Sequence, residues 1–116
     1  MNTEDARTHF ADVLAVGAAA RKSIEERRKM ARLAVQYMPL TPSSSDEERR
    51  AYGAAVEDVA RCEENLVTLD AAEDDLVRLF NRWLDDATTG PKLDARIGRY
   101  LALANELLQP GSTVRP

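Results

Sequence analysis

The chain predicts an all-α fold: a long antiparallel helical hairpin over about residues 3–38 and 46–87, with a shorter third helix over about 91–108, bundle or coiled-coil-like. Three observations predict it. Between Asp46 and Ala87 the residues Tyr52, Ala55, Val59, Cys62, Leu66, Leu69, Glu73, Leu76, Phe80, Trp83 and Ala87 recur in steps of three and four, the seam of an amphipathic helix. The composition is 44% hydrophobic and 31% charged but only 5% aromatic, which suits helices better than sheets. Before the tail, prolines fall only at Pro39, Pro42 and Pro91, so helix breakers sit between the periodic segments and not inside them.

The first helix starts with Asn2 or Thr3 as cap, and Glu4 and Asp5 in its first turn suit the positive end of the helix dipole. It runs to Met38, because Pro39 disfavours helical dihedrals in the residue before it. Its stripe reads Ala6, Phe10, Val13, Gly17, Ala20, Ile24, Arg27, Ala31, Ala34 and Met38. A stripe of mostly small residues buries little area each, so this helix depends on its neighbours for stability. A second apolar line, Met30, Leu33, Tyr37 and Leu40, widens the arc near its end.

The connector PLTPSSS is short, which makes the first two helices antiparallel neighbours, and Ser44 with Glu47 or Ser45 with Glu48 has the spacing of a capping box. If the bend lies near residue 42, facing residues have numbers summing to about 84. Gly53, Ala54 and Ala55 then lie against Met30, Ala31 and Ala34, and Glu73, the polar misfit of the seam, falls beside His9 or Arg7 as its partner. Asp70 and Glu73 also imitate a capping box, so a break at Thr68 to Asp70 is the alternative to one continuous helix.

Thr88, Thr89, Gly90 and Pro91 end the long helix: glycine suits a left-handed position after the last turn, and proline suits the first turn of the next helix. The third helix presents Leu93, Ile97, Tyr100, Leu101, Ala104, Leu107 and Leu108. Residues 1–108 are read as one domain and 109–116 as a disordered tail.

Charge is unevenly spread. Residues 1–45 hold seven Lys or Arg against five Asp or Glu, residues 46–87 five against thirteen, and residues 88–116 four against two. An acidic central helix flanked by basic segments favours their packing on it. Arg21, Lys22, Arg27, Arg28, Lys29 and Arg32 crowd twelve residues. The first reading of this run is a solvated surface neutralised by the second helix. The second is a contact for nucleic acid or an acidic partner through Arg21, Lys22, Arg28, Lys29 and Arg32.

Catalytic chemistry is not expected. His9 is the only histidine, and the acid pairs Glu63 and Glu64, Asp74 and Asp75, and Asp85 and Asp86 are sequence neighbours pointing to different sides of a helix. No phosphate-binding loop, dinucleotide fingerprint or metal-ligand spacing occurs, so no cofactor and no metal are expected. Cys62, the single cysteine, reads as a small buried hydrophobe in a reduced setting. With no signal-peptide pattern and no apolar run of about 20 residues, the expected location is cytoplasmic and off the membrane.

A third helix half as long as the others covers only one end of the hairpin. Met30, Leu33, Tyr37, Tyr52, Val56 and Val59 at the loop end are then left partly bare, a surface for binding another protein or a second copy in a homodimer. The function expected from the sequence is a non-enzymatic protein-interaction module acting as adaptor, assembly chaperone or inhibitor. The alternative is a nucleic-acid-binding accessory or regulatory protein using the basic run.

Overall fold

A computed structural model describes residues 3–108. They form α1 (Thr3–Tyr37), α2 (Asp46–Asp85), a short 3-10 turn (Ala87–Thr89) and α3 (Gly90–Leu107). The all-α hairpin with a shorter third helix is the architecture of the chain. The expected caps Asn2 and Thr3 and the tail 109–116 lie outside what can be described, apart from the backbone of Thr3.

α2 is continuous through Thr68 to Asp70 and holds 40 residues. The apolar seam on both sides of that point stays buried, and tertiary packing of such a face outweighs a local capping signal. Its start is the Ser45 and Glu48 box: the Glu48 N–H donates to the Ser45 hydroxyl at 3.1 Å, and the Ser45 N–H donates to the Glu48 carboxylate at 3.4 Å. Ser44 instead accepts from the Thr41 N–H at 2.8 Å and braces the connector.

The end of α2 departs from expectation. The helix stops at Asp85, and Asp86 in an extended conformation accepts from the Thr88 N–H and hydroxyl to start the 3-10 turn. Gly90 is right-handed, with φ −51°, and opens α3. The Asp86 turn reverses the chain without a left-handed residue. Pro91 takes the first-turn place its missing N–H suits.

The described residues measure 65 × 22 × 18 Å with a radius of gyration of 18.8 Å, against about 13 Å for a compact domain of this length. The core is concentrated where three helices meet. Phe10 stacks on Phe80 with centroids 4.0 Å apart, and Trp83 follows at 5.8 Å from Phe80. Ile24, Leu69, Leu76 and Leu107 are fully buried, and the half-buried Leu101 packs against this cluster.

The register of the hairpin differs from the sequence expectation. Phe10 meets Phe80 and Arg32 meets Glu63, pairs whose numbers sum to 90 and 95 and not 84. The connector advances along the rod before α2 begins, so the first turns of α2 overhang the end of α1. Gly53 therefore faces open space and makes no close crossing, although Ala54 and Ala55 do share a groove with Met30, Ala31 and Ala34.

The close crossing lies elsewhere, at Gly17. A β-carbon there would sit 1.6 Å from the Tyr100 hydroxyl and 2.6 Å from Cζ, so only glycine lets α3 seat this ring against α1.

Candidate interaction surface at the hairpin tip

Where α3 ends decides what is left bare. Arg27, half-buried on the α1 stripe, donates from Nη2 to the Leu107 carbonyl at 2.9 Å, a cation on the negative end of the α3 dipole. Beyond it α1 runs on to Tyr37, and α2 reaches past that end to Asp46, with no third helix among the described residues to cover them.

The tip has two open flanks. On one, a groove of about 690 Å³ continues the seat of α3, with Ala31, Ala55 and Cys62 buried along its floor and Met30 and Met38 on its walls. On the other, a depression of about 340 Å³ lies among Val35, Val56, Val59 and Ala60, between Arg32 and Glu63. At 100° per residue these two sets fall on opposite sides of the buried lines through Ala31 and Ala55.

The six residues expected at a docking surface are all partly or largely open. Met30 is 66% exposed, Tyr37 73% and Val56 43%, while Leu33, Tyr52 and Val59 are half-buried. They do not form one patch: Met30 borders the groove, whereas Val56 and Val59 border the opposite depression.

Half of the basic run is engaged within the chain. Arg21 is clasped by Asp70 and by Glu73, the latter at 2.7 Å, and Arg32 pairs with Glu63 at 2.8 Å. Burial works against the Arg21 charge, but the two carboxylates outweigh it and raise its pKa above the ordinary value. Glu73 thus finds Arg21 and not His9 or Arg7, a direct result of the shifted register. Lys22 and Lys29 stay exposed and Arg28 is half-buried, without ion pairs among the described residues.

Cys62 is a free thiol, 5% exposed, on the groove floor. Burial pushes its pKa up, with Asp58 acting in the same direction against Arg27, which favours the protonated thiol. Among the described residues no group of three or more His, Cys, Asp or Glu side chains is placed to hold a metal, and no helix is long and apolar enough to cross a membrane.

Two features escaped the sequence pattern. Asn65, 1% exposed, lies beside Cys62 at the end of the groove, one position off the apolar seam, where the spacing of apolar residues gives no signal of burial. Gly17 and Tyr100 each sat on an expected stripe, but their mutual fit depends on helix register and not on spacing within either helix. No known protein family matches the chain, nor does any curated protein or solved structure.

Proposed function

We propose that the chain is a non-enzymatic helical protein-interaction module, acting as adaptor, assembly chaperone or inhibitor, that docks a partner helix at the hairpin tip and works as a homodimer. The observation that carries this reading is the early end of α3 beside Arg27, which leaves its groove running on unfilled. Small side chains at Ala31, Ala34, Ala51, Ala54 and Ala55 line that extension, so a helix backbone can approach closely, as α3 does at Gly17. The fitting occupant is amphipathic, with apolar residues at helical spacing like the Leu93, Ile97, Tyr100 and Ala104 series of α3.

Charge supports a second copy as one such partner. From 25 to 37, α1 carries four cations against two acids, while from 46 to 64, α2 carries seven acids against three cations. A two-fold pairing sets the tip of α1 in one copy near the tip of α2 in the other, which matches opposite signs twice.

Molar mass in solution tests the reading. The wild-type chain is expected at twice 12.9 kDa, and Met30→Glu combined with Ala54→Glu, both exposed, is expected to yield a folded monomer. A wild-type monomer at every concentration, with no binding of an amphipathic helical peptide, would refute the proposal.

A further inference from the structure

α2 is the acidic element of the chain, yet its last turns and the first turns of α3 bring four cations to one place. Arg78 and Arg82 stand one turn apart on α2, and Lys92 and Arg96 one turn apart on α3. This spacing keeps each pair on a single helix face. The faces meet across a cavity of about 190 Å³ lined by these four side chains with Asp75 and Leu79.

One cation is accounted for, since Arg96 pairs with Asp75. The side chains of Arg78, Arg82 and Lys92 have no ion-pair or hydrogen-bond partner among the described residues. Elsewhere the chain treats converging charge differently: two carboxylates clasp the single guanidinium of Arg21. Here Asp74 and Asp85, within a turn of the two arginines on α2, make no bond to them. Like charges gathered without counter-charges repel one another, and a bound anion relieves that repulsion. Lys92 also stands in the first turn of α3, where the cap residue Thr89 offers the open N–H groups no side-chain acceptor, so the positive end of the helix dipole adds to the same field.

We propose that this cavity binds a compact phosphate-type anion, free or as the ester of a small molecule. The guanidinium forks of Arg78 and Arg82 match phosphate oxygens in pairs, and Lys92 supplies a point charge. The volume is below the roughly 300–1,000 Å³ of sites for drug-sized ligands, so the cavity holds one anionic group and not a nucleoside attached to it. The rest of α2, with its excess of acids, repels an extended polyanion such as nucleic acid. The site lies at the opposite end of the hairpin from the docking tip and does not depend on that reading.

The test uses the full chain at low ionic strength with inorganic phosphate, and with methyl phosphate in parallel. Either ligand is expected to raise the unfolding temperature above a sodium chloride control of equal ionic strength, and to shift the backbone amide resonances around Lys92 and Arg82. Arg82→Gln and Lys92→Gln, both exposed positions, are each expected to weaken binding about tenfold, the scale of one charge-assisted hydrogen bond. Lys22→Gln with Lys29→Gln removes twice the charge of either variant elsewhere and should leave binding unchanged. Preference for inorganic phosphate assigns the free anion, and equal or tighter binding of methyl phosphate assigns an ester. A response no larger than that to chloride, or one lost equally in the Lys22 and Lys29 variant, overturns the site. Should a cavity variant fail to fold, the wild-type resonance map decides.

Discussion

Replacing Gly17 by alanine separates two physical effects of opposite sign. On an exposed helix position the change adds helix propensity, worth about 1 kcal/mol in favour of folding. At Gly17 the new methyl would overlap the Tyr100 ring, 1.6 Å from the hydroxyl, 2.6 Å from Cζ and 3.1 Å from Cε1. Tyr100 is only 3% exposed and is wedged between α1 and α2, so it must leave its seat or push α3 outward. Losing a buried aromatic side chain costs about 3–5 kcal/mol, which leaves a net loss of about 2–4 kcal/mol after the propensity gain. For a chain of this size that is a fall of roughly 8–16 °C in Tm. Thermal and urea unfolding followed by circular dichroism measure it.

Pairing the change with Tyr100→Leu makes it decisive, because the shorter side chain vacates the space the methyl needs. Gly17→Ala made in the Tyr100→Leu background should then cost little or become stabilising. The Tyr100 hydroxyl has no hydrogen-bond partner among the described residues, so Tyr100→Phe alone should be neutral or stabilising. If Gly17→Ala stabilises the wild type, α3 does not seat Tyr100 against α1 and the described packing is wrong.

Arg21→Gln leaves Asp70 and Glu73 facing each other without their cation. Because all three side chains are part-exposed, solvent screening limits the loss to about 1 kcal/mol, and it should shrink in 1 M salt, whereas Arg7→Gln should change nothing. Ser45→Ala removes the capping box and is expected to cost about 1 kcal/mol with faster amide exchange confined to the first turns of α2. On the alkaline side, burial raises the pKa of Cys62 and of Tyr100 above the ordinary thiol and phenol values. The unfolded chain therefore loses these protons first, and the stability they contribute is complete below those values and falls as pH rises through them. Cys62→Ala with Tyr100→Phe should flatten the stability curve as pH rises through the ordinary thiol and phenol range, and an unchanged slope would show that neither group is buried as described.

The helices were legible because their signals are local. Spacing of three and four marked α2, prolines marked the breaks, and serine followed three residues later by glutamate marked its start. Register was not legible. It depends on how far the connector from Met38 to Ser45 travels along the rod, and nothing in its composition states that distance. Most expectations that passed through register shifted accordingly: Glu73 met Arg21, Gly53 met nothing, and the close crossing moved to Gly17, while Ala54 and Ala55 still share a groove with Met30, Ala31 and Ala34. The exposure expected at Met30, Tyr37 and Val56 depended only on the relative lengths of the helices, which the sequence does state. Whether those residues share a face depended on packing direction, and they fall on two flanks.

The register, once formed, is held from both chemistry and shape. A slide of one turn between α1 and α2 would separate Phe10 from Phe80, and a slide of α3 would drive Tyr100 into an α1 side chain larger than Gly17. It would also take Arg21 from two acids that lie one turn apart on α2 and Arg32 from Glu63. Glu63, Asp70, Glu73 and Asp75 are thus committed to cations of α1 and α3. Past Asp75 the next acid on α2 is Asp85, and between them stand Arg78 and Arg82 without partners. The order of charges along one helix therefore does two things at once. Its middle fixes the alignment of its neighbours, and its end, held in place by that alignment, is left with cations directed at a cavity that no acid beyond Asp75 fills. An Asp75→Asn change tests the link between the two roles: it frees Arg96 to join the cavity and should tighten anion binding while lowering stability slightly. Weaker binding in that variant would mean that Asp75 positions Arg96 for the anion and does not compete with it.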